Sequence, residues 1–422
     1  MTEGVSSVDP VGTAGEPLPE AISPTVRLVD PPIPSPAQSA AVQQVKADLP
    51  EAEPVSASLW SPDELTTQPV VISPWTIPAP IGEQVEFSFN LAKINDQGED
   101  ADPILHVARD NGLLAVFDGM GGAGGTEYQT PYGPRTGAYL GARAARAAVD
   151  RSLLQLLPSA DDIEAVSAQL HDTIEAALRA RLAELPAQRS MLRSRLLRAL
   201  PTTMALTAIE RTTAEEKLWR CQLWWAGDSR VYLLQPGSGA SQLTTDDIRD
   251  HGDAMENLRQ DSVISNAMSA DTTFVLNQRS IELSAPFVLV AATDGCFGYL
   301  PSPMHFEWLL LSTMQNSLDA AMWSEQLQAQ ITTITGDDAS MAVLGIGADY
   351  RQFQSLFAER AAALETRWVT PLDQLDAEVN DLEQELETLR RHRISQQSEL
   401  WAAYRPDYEQ YLDLQASGKG DS

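Results

Sequence analysis

Leu113-Leu114-Ala115-Val116-Phe117 runs directly into Asp118-Gly119-Met120-Gly121-Gly122. Five apolar residues without polar alternation read as a strand with both faces covered, and the strand stops at an acid and a tight turn. The same ending recurs. Leu223–Ala226 passes through Gly227 to Asp228-Ser229, and Phe287–Ala292 passes through Thr293 to Asp294-Gly295. Gly336-Asp337-Asp338 precedes another apolar run, Met341–Ile346, and Val231–Leu234 adds a fifth. Upstream, Glu99-Asp100 lies in a polar stretch before His106.

Helical stretches are set between these strands. Arg135–Leu157 is Ala-rich, and Asp162–Leu185 carries Leu170, Ile174, Leu178 and Leu182 at helical spacing after a polar start. Gln188–Leu200 reads as a basic helix and Pro303–Gln330 as a further helical region. Strands cluster early, in the middle and late rather than alternating strictly with helices, which predicts an α+β fold.

A single Asp-Gly is a common turn. Four acids closing buried strands are another matter, because a carboxylate leaving water needs a cation or a hydrogen-bonded partner. Arg230 is the one base beside them in the chain. Carboxylates converging without bases suit Mg²⁺ or Mn²⁺, which take oxygen ligands. Two such ions sharing a carboxylate activate water and clamp a phosphoryl group. Gly119, Gly121 and Gly124 also spell G-x-G-x-x-G, the pattern of a dinucleotide loop, but Asp118 would face the pyrophosphate uncompensated. Neither G-x-x-x-x-G-K nor G-x-S-x-G nor H-E-x-x-H occurs. Cys296 follows the Asp294-Gly295 turn and reads as a small buried residue rather than a nucleophile.

Composition narrows the function classes. Lys and Arg number 29 against 59 Asp and Glu, a formal net charge of −30 over 422 residues. That excess argues against nucleic acid and anionic membranes as partners. Two cysteines exclude a disulfide framework. No apolar run approaches a membrane span, and the first residues lack a secretory signal, so the expectation is a soluble cytoplasmic protein. Residues 1–80 hold 15 of the 27 prolines, with ten acids and two bases, and predict a disordered acidic tail. Beyond residue 350, Leu372, Leu375, Val379, Leu382, Leu386 and Leu389 are spaced 3, 4, 3, 4, 3, an a/d heptad seam. The segment 350–415 is therefore expected to be helical, either a self-associating coiled coil or partner helix through 372–389, or a hairpin folded back on the domain, with an interruption at Pro406.

Taken in order, Glu99-Asp100-Ala101, Asp118-Gly119-Met120-Gly121-Gly122, Thr202-Thr203, Gly227-Asp228-Ser229-Arg230, Thr293-Asp294-Gly295 and Asp337-Asp338-Ala339-Ser340 resemble the metal-dependent type 2C serine/threonine protein phosphatases in their bacterial form. The resemblance covers residues 85–348 and implies a four-layer αββα sandwich of two antiparallel sheets flanked by helices. It implies two Mg²⁺ or Mn²⁺ ions, with room for a third. Asp118 resembles the carboxylate that bridges both ions, and Gly119 the carbonyl ligand. Glu99, Asp294 and Asp337 resemble the remaining ligands, Asp228 the residue that joins Asp294 at the third ion, and Asp100 the residue positioning water. Catalytic roles are thus expected of Asp118, Asp294 and Asp100. The implied reaction is hydrolysis of phosphoserine and phosphothreonine in protein substrates, in signalling. The family's phosphate-binding Arg is replaced here by Asn95, with Lys93 two residues earlier, and the segment Tyr128–Arg135 lengthens the following loop and brings Arg135 as a substitute. Residues 245–270 fall where the family has a flap. The alternative is a catalytically weak, phosphatase-like scaffold or binding protein acting through its C-terminal helices.

Overall fold

The computed structural model describes residues 84–156, 162–186, 197–212, 217–249, 253–259 and 263–411. Two five-stranded sheets carry the architecture. The first has the order β1-β12-β11-β8-β9, with β1 Gln84–Leu91, β8 Arg230–Gln235, β9 Gly239–Gln242, β11 Phe287–Ala292 and β12 Ala339–Ile346. The second has the order β10-β7-β6-β3-β2, with β2 Ala101–Val107, β3 Asn111–Phe117, β6 Met204–Arg211, β7 Leu218–Ala226 and β10 Asn277–Ser284. Every pairing in both is antiparallel. A dinucleotide fold would need parallel strands; here Gly121–Gly124 is one helical turn, followed by a hairpin, β4 Glu127–Thr130 and β5 Gly133–Thr136.

The unbroken apolar runs are explained by strands buried on both faces. In β3, Leu114 and Val116 point between the sheets while Leu113, Ala115 and Phe117 pack under helices. In β11, Phe287, Leu289 and Ala291 face the inter-sheet core, and Val288, Val290 and Ala292 face the opposite helical layer. Side chains alternate across a strand, so each central strand feeds two cores. One outer layer is α1 (Gly137–Leu156) with α2 (Ile163–Glu184), which bury Leu140, Val149, Leu170, Ile174 and Leu178. The short helix α3 (Ala254–Arg259) lies in the 245–270 stretch. The other outer layer comprises α4 (Pro303–Asn316), α5 (Ala320–Ile334) and α6 (Tyr350–Leu364), which bury Phe306, Leu310, Trp323, Leu327, Phe353 and Phe357. The expected four-layer αββα sandwich is the observed one.

Several expectations are corrected. Arg135 belongs to β5, and the helix begins at Gly137. The helical region expected over Pro303–Gln330 holds two helices, because Ser317 ends α4 and Asp319 caps α5 by accepting from Met322 N. Residues 188–196 of the basic helix expected at Gln188–Leu200 lie outside the described residues, as does the acidic tail 1–80; Leu197–Leu200 is not helical. After α6 a π-helical turn, Glu365–Val369, leads into α7, Thr370–Tyr408. This is one continuous helix with Pro406 inside it and no buried residue, so neither a fold-back hairpin nor an interruption at Pro406 forms. No described helix is long and apolar enough to cross a membrane.

Candidate functional site

Register delivers the acids to one end of the sandwich. In the second sheet Val116 pairs with Ala205 and Met204 with Ala226, so the residues just beyond, Asp118 and Asp228, leave β3 and β7 on either side of the start of β6. In the first sheet Ala292 pairs with both Met341 and Arg230, and Leu91 with Ala339, so Asp294, Asp337 and the β1–β2 loop carrying Glu99-Asp100 emerge at that same end.

Backbone contacts lock the turn at Asp118. Thr203 N donates to Asp118 O at 2.9 Å, and Thr202 Oγ1 donates to the same carbonyl at 2.6 Å. Gly119 is required by close approach: a Cβ there would lie 2.5 Å from Glu99 O and 2.9 Å from Ala138 O. Gly227 holds φ +101°, a left-handed conformation, and its amide donates to Asp247 Oδ2. The Asp247 carboxylate also accepts from Asn266 and Asn277, tying the Asp228 turn to the 245–270 stretch.

The carboxylates repel one another, offset only in part by the Arg143 charge at Glu99 and the Arg230 charge at Asp228 and Asp294. Burial, then Asp294, Asp100, Asp228 and Asp337 in turn, push the Asp118 carboxyl well above its usual range. Burial likewise raises Asp100 to about 8 and Asp228 to about 8, and it raises Asp294 and Glu99 as well. Asp228 Oδ1 is buried without a partner. The guanidiniums at this end are committed elsewhere. Arg230 forks onto Asp246 at 2.9 and 2.6 Å and reaches Tyr232 Oη, while Arg143 donates to the carbonyls of Gly98, Glu99 and Tyr139.

Among the described residues no three His, Cys, Asp or Glu side chains stand arranged to hold a metal ion. The donor set nonetheless fits one in chemistry: hard oxygens, an orphaned buried carboxylate oxygen, and no competing base. Asp100 faces Thr293, whose hydroxyl donates to it at 2.9 Å. Asp337 is exposed at the rim, and Asp338 beneath it is buried. Glu99 Oε1 accepts from Thr136 Oγ1 at 2.5 Å.

The three candidate phosphate residues separate. Lys93 and Asn95 are exposed, and Lys93 enters the local network through its backbone amide. Arg135 Nη1 donates to Asp96 O at 2.7 Å and its guanidinium lies 4.8 Å over the Tyr139 ring, so β5 brings it against the loop that carries Asn95. Cys296 is buried, its thiol donates to Ser340 O at 3.3 Å, and burial pushes its pKa up, away from nucleophilic use. Sequence reading missed Thr136, Arg143 and Asp247, and it gave Thr293 no role of its own beside Asp294. Each acts through a hydrogen bond to a residue distant in sequence, which local spacing does not show.

The sequence matches no protein family, and no curated protein matches it. Among solved structures the chain is similar to the catalytic domain of the serine/threonine protein phosphatase PstP in complex with two manganese ions, at 19% identity over 63% of this chain and 98% of that one, TM-score 0.41. It is similar to a Mycobacterium tuberculosis serine/threonine phosphatase, PstP/Ppp, at 19% identity over 63% and 99%, TM-score 0.43. It is also similar to the S. agalactiae serine/threonine phosphatase, at 14% identity over 63% of this chain and 99% of that one, TM-score 0.44.

Proposed function

We propose that this chain belongs to the type 2C phosphatases and hydrolyses phosphoserine and phosphothreonine in proteins with the help of bound Mg²⁺ or Mn²⁺. One observation carries the reading: the carboxylates of Asp118, Asp228 and Asp294, with Asp100, Glu99 and Asp337 around them, meet at one end of the sandwich, where burial and mutual repulsion outweigh the partial offset from Arg230 and Arg143. Asp118 and Asp294 hold the centre, the Gly119 carbonyl, Glu99 and Asp337 complete the oxygen set, and Asp228 contributes at a third position. Bound there, such ions supply Lewis-acid charge and acidify water.

The protein's own residues then have defined work. The Thr202-Thr203 clamp keeps the Asp118 turn from shifting. Asp100, oriented by the Thr293 hydroxyl, is placed to accept a proton from the attacking water. Arg135 takes the substrate phosphate as a bidentate fork, which Lys93 as a point charge cannot do. The thiol of Cys296 has no step to perform.

The testing experiment is phosphate release from a phosphothreonine peptide and from p-nitrophenyl phosphate, with Mn²⁺, Mg²⁺ or EDTA, beside Asp118→Asn. Release that needs a divalent cation and vanishes in the variant supports the phosphatase. Absence of release by folded protein supports the second reading, a phosphatase-like scaffold, which the exposed Asn95 in place of a guanidinium favours.

A further inference from the structure

Helix α7 is 39 residues long, about 58 Å at 1.5 Å per residue, and none of it is buried. It is fixed to the domain at its root. Val369 is buried, Trp368 lies between Arg360 and Arg367, and His305 Nε2 stands 3.1 Å from Asp373 Oδ1. Beyond that point the seam is in water: Leu375 is 57% exposed, Val379 53%, Leu382 65%, Leu386 47% and Leu389 58%. Most helical stability in proteins comes from packing an apolar face, and among the described residues this face packs on nothing.

A second copy of the chain is the occupant this face fits, and we propose that the protein is a dimer joined by a parallel, in-register coiled coil through residues 372–389. The period supports this first. A strict 3.5-residue seam is complemented by another seam of the same period, since a helix with the 3.6-residue period of a globular core drifts away from it within a few turns. Pairing the sequence with itself in parallel puts Leu372, Val379 and Leu386 at a, and Leu375, Leu382 and Leu389 at d. All six layers are apolar, and the Val sits at a, where a β-branched residue suits two strands.

Charge selects the direction. Between Asp373 and Glu387 the helix has seven acids and neither Lys nor Arg, and Arg390-Arg391-His392-Arg393 follow. In the parallel register Glu385 at g meets Arg390 at e of the second copy, on both sides of the coil, and Glu378 against Glu383 is the like-charged pair. The antiparallel register that keeps all six apolar layers sets Asp376 against Glu383 and Glu378 against Glu385, with no opposite pair. The parallel coil therefore combines the full apolar seam with the better flanks. Three heptads on bodies of −30 charge each make this a salt-strengthened association rather than a permanent one.

The test uses the full chain in four forms: wild type, Leu382→Glu/Leu386→Glu, Leu386→Cys and Asp381→Cys. Sedimentation velocity from about 1 to 100 µM, at low and at physiological salt, reads the assembly state. The expected result is a wild-type dimer with a micromolar Kd that tightens with salt, and a double variant that stays monomeric with an unchanged thermal transition. Oxidised Leu386→Cys is expected to cross-link between chains, because a positions face each other in parallel coils, whereas Asp381→Cys on the outer face is not. The native Cys221 and Cys296 are buried and do not interfere. A wild type monomeric throughout overturns the proposal and leaves the seam to a different protein or to the 1–80 segment. A dimer that survives the double variant, a higher oligomer, or a dimer that Leu386→Cys fails to cross-link overturns it equally.

Discussion

Asp338 holds Glu99 from across the sandwich. Its Oδ2 accepts from Glu99 N at 2.5 Å and its Oδ1 from Lys93 N at 2.7 Å, so one buried carboxylate closes both ends of the loop that carries a candidate ligand. The role is positional. Asp338→Ala removes two charge-assisted hydrogen bonds and leaves two amides to find water, a loss of about 2 kcal/mol in stability. Mn²⁺ affinity, read by calorimetric titration, is expected to fall about 10- to 100-fold as Glu99 wanders. Asp338→Asn, which can accept at one of the two amides, should fall between. Full Mn²⁺ affinity in the Ala variant would remove Asp338 from this role.

Two glycines give opposite signatures. A Cβ on Gly121 would lie 2.0 Å from Glu99 Oε2, the movable end of a side chain, whereas a Cβ on Gly295 would lie 1.9 Å from the backbone oxygen of Asp338. Gly121→Ala is expected to displace the Glu99 carboxylate at little cost in stability, lowering Mn²⁺ affinity and phosphate release at least about tenfold with Tm nearly unchanged. Gly295→Ala must move a strand end and should cost about 2–4 kcal/mol. Thermal melts beside Mn²⁺ titrations of both variants decide it; a Gly121→Ala protein that binds Mn²⁺ normally refutes the assignment of Glu99.

What could be read in the sequence follows from burial. β3, β11 and β12 lie inside their sheets with both faces covered, so their apolar runs were plain. The edge strands were not: β2 contains Pro103, and β10 is half-buried along its first four residues. The break between α4 and α5 was written in Ser317 and Asp319, both cap residues, but the apolar residues on either side masked it. At the site Asp118, Asp228 and Asp294 were legible because each follows an apolar run, and Asp337 because it precedes one. Thr136, Thr293 and Asp247 were not, since a threonine or aspartate that orients a partner 37, 193 or 20 residues away has no local signature.

The crowded acids make the metal-free protein sensitive to pH in a definite direction. Asp100 and Asp228 titrate near 8 in the folded chain, and Asp118 and Asp294 are raised as well, chiefly by burial. The folded state therefore holds protons that the unfolded state has released from about pH 4 upward. Stability is full below that point and declines as pH rises toward 8. In EDTA, Tm is expected to drop by about 5 °C or more between about pH 5.5 and pH 8. Mn²⁺ should restore it, and by more at the higher pH, because cation and protons compete for the same oxygens. A Tm in EDTA that rises over that interval would contradict the crowded cluster.

Arg135 is the guanidinium nearest in role to the one absent at Asn95. It is partly exposed, anchored by its bond to Asp96 O and by Tyr139 beneath it, with hydrogen-bonding capacity left for a ligand. Arg135→Ala is expected to lower kcat/KM for a phosphothreonine peptide about 10- to 100-fold, the worth of a charged hydrogen bond to phosphate, while Mn²⁺ affinity and Tm hold. Arg135→Lys should recover part of the loss, as a point charge in place of a fork. Asn95→Arg, on the exposed loop alongside, should rescue the Arg135→Ala variant by restoring a guanidinium from the other side. If Arg135→Ala leaves kcat/KM unchanged while wild-type protein turns over, the phosphate is held without Arg135, and the hairpin that carries it serves only to cover the edge of the site.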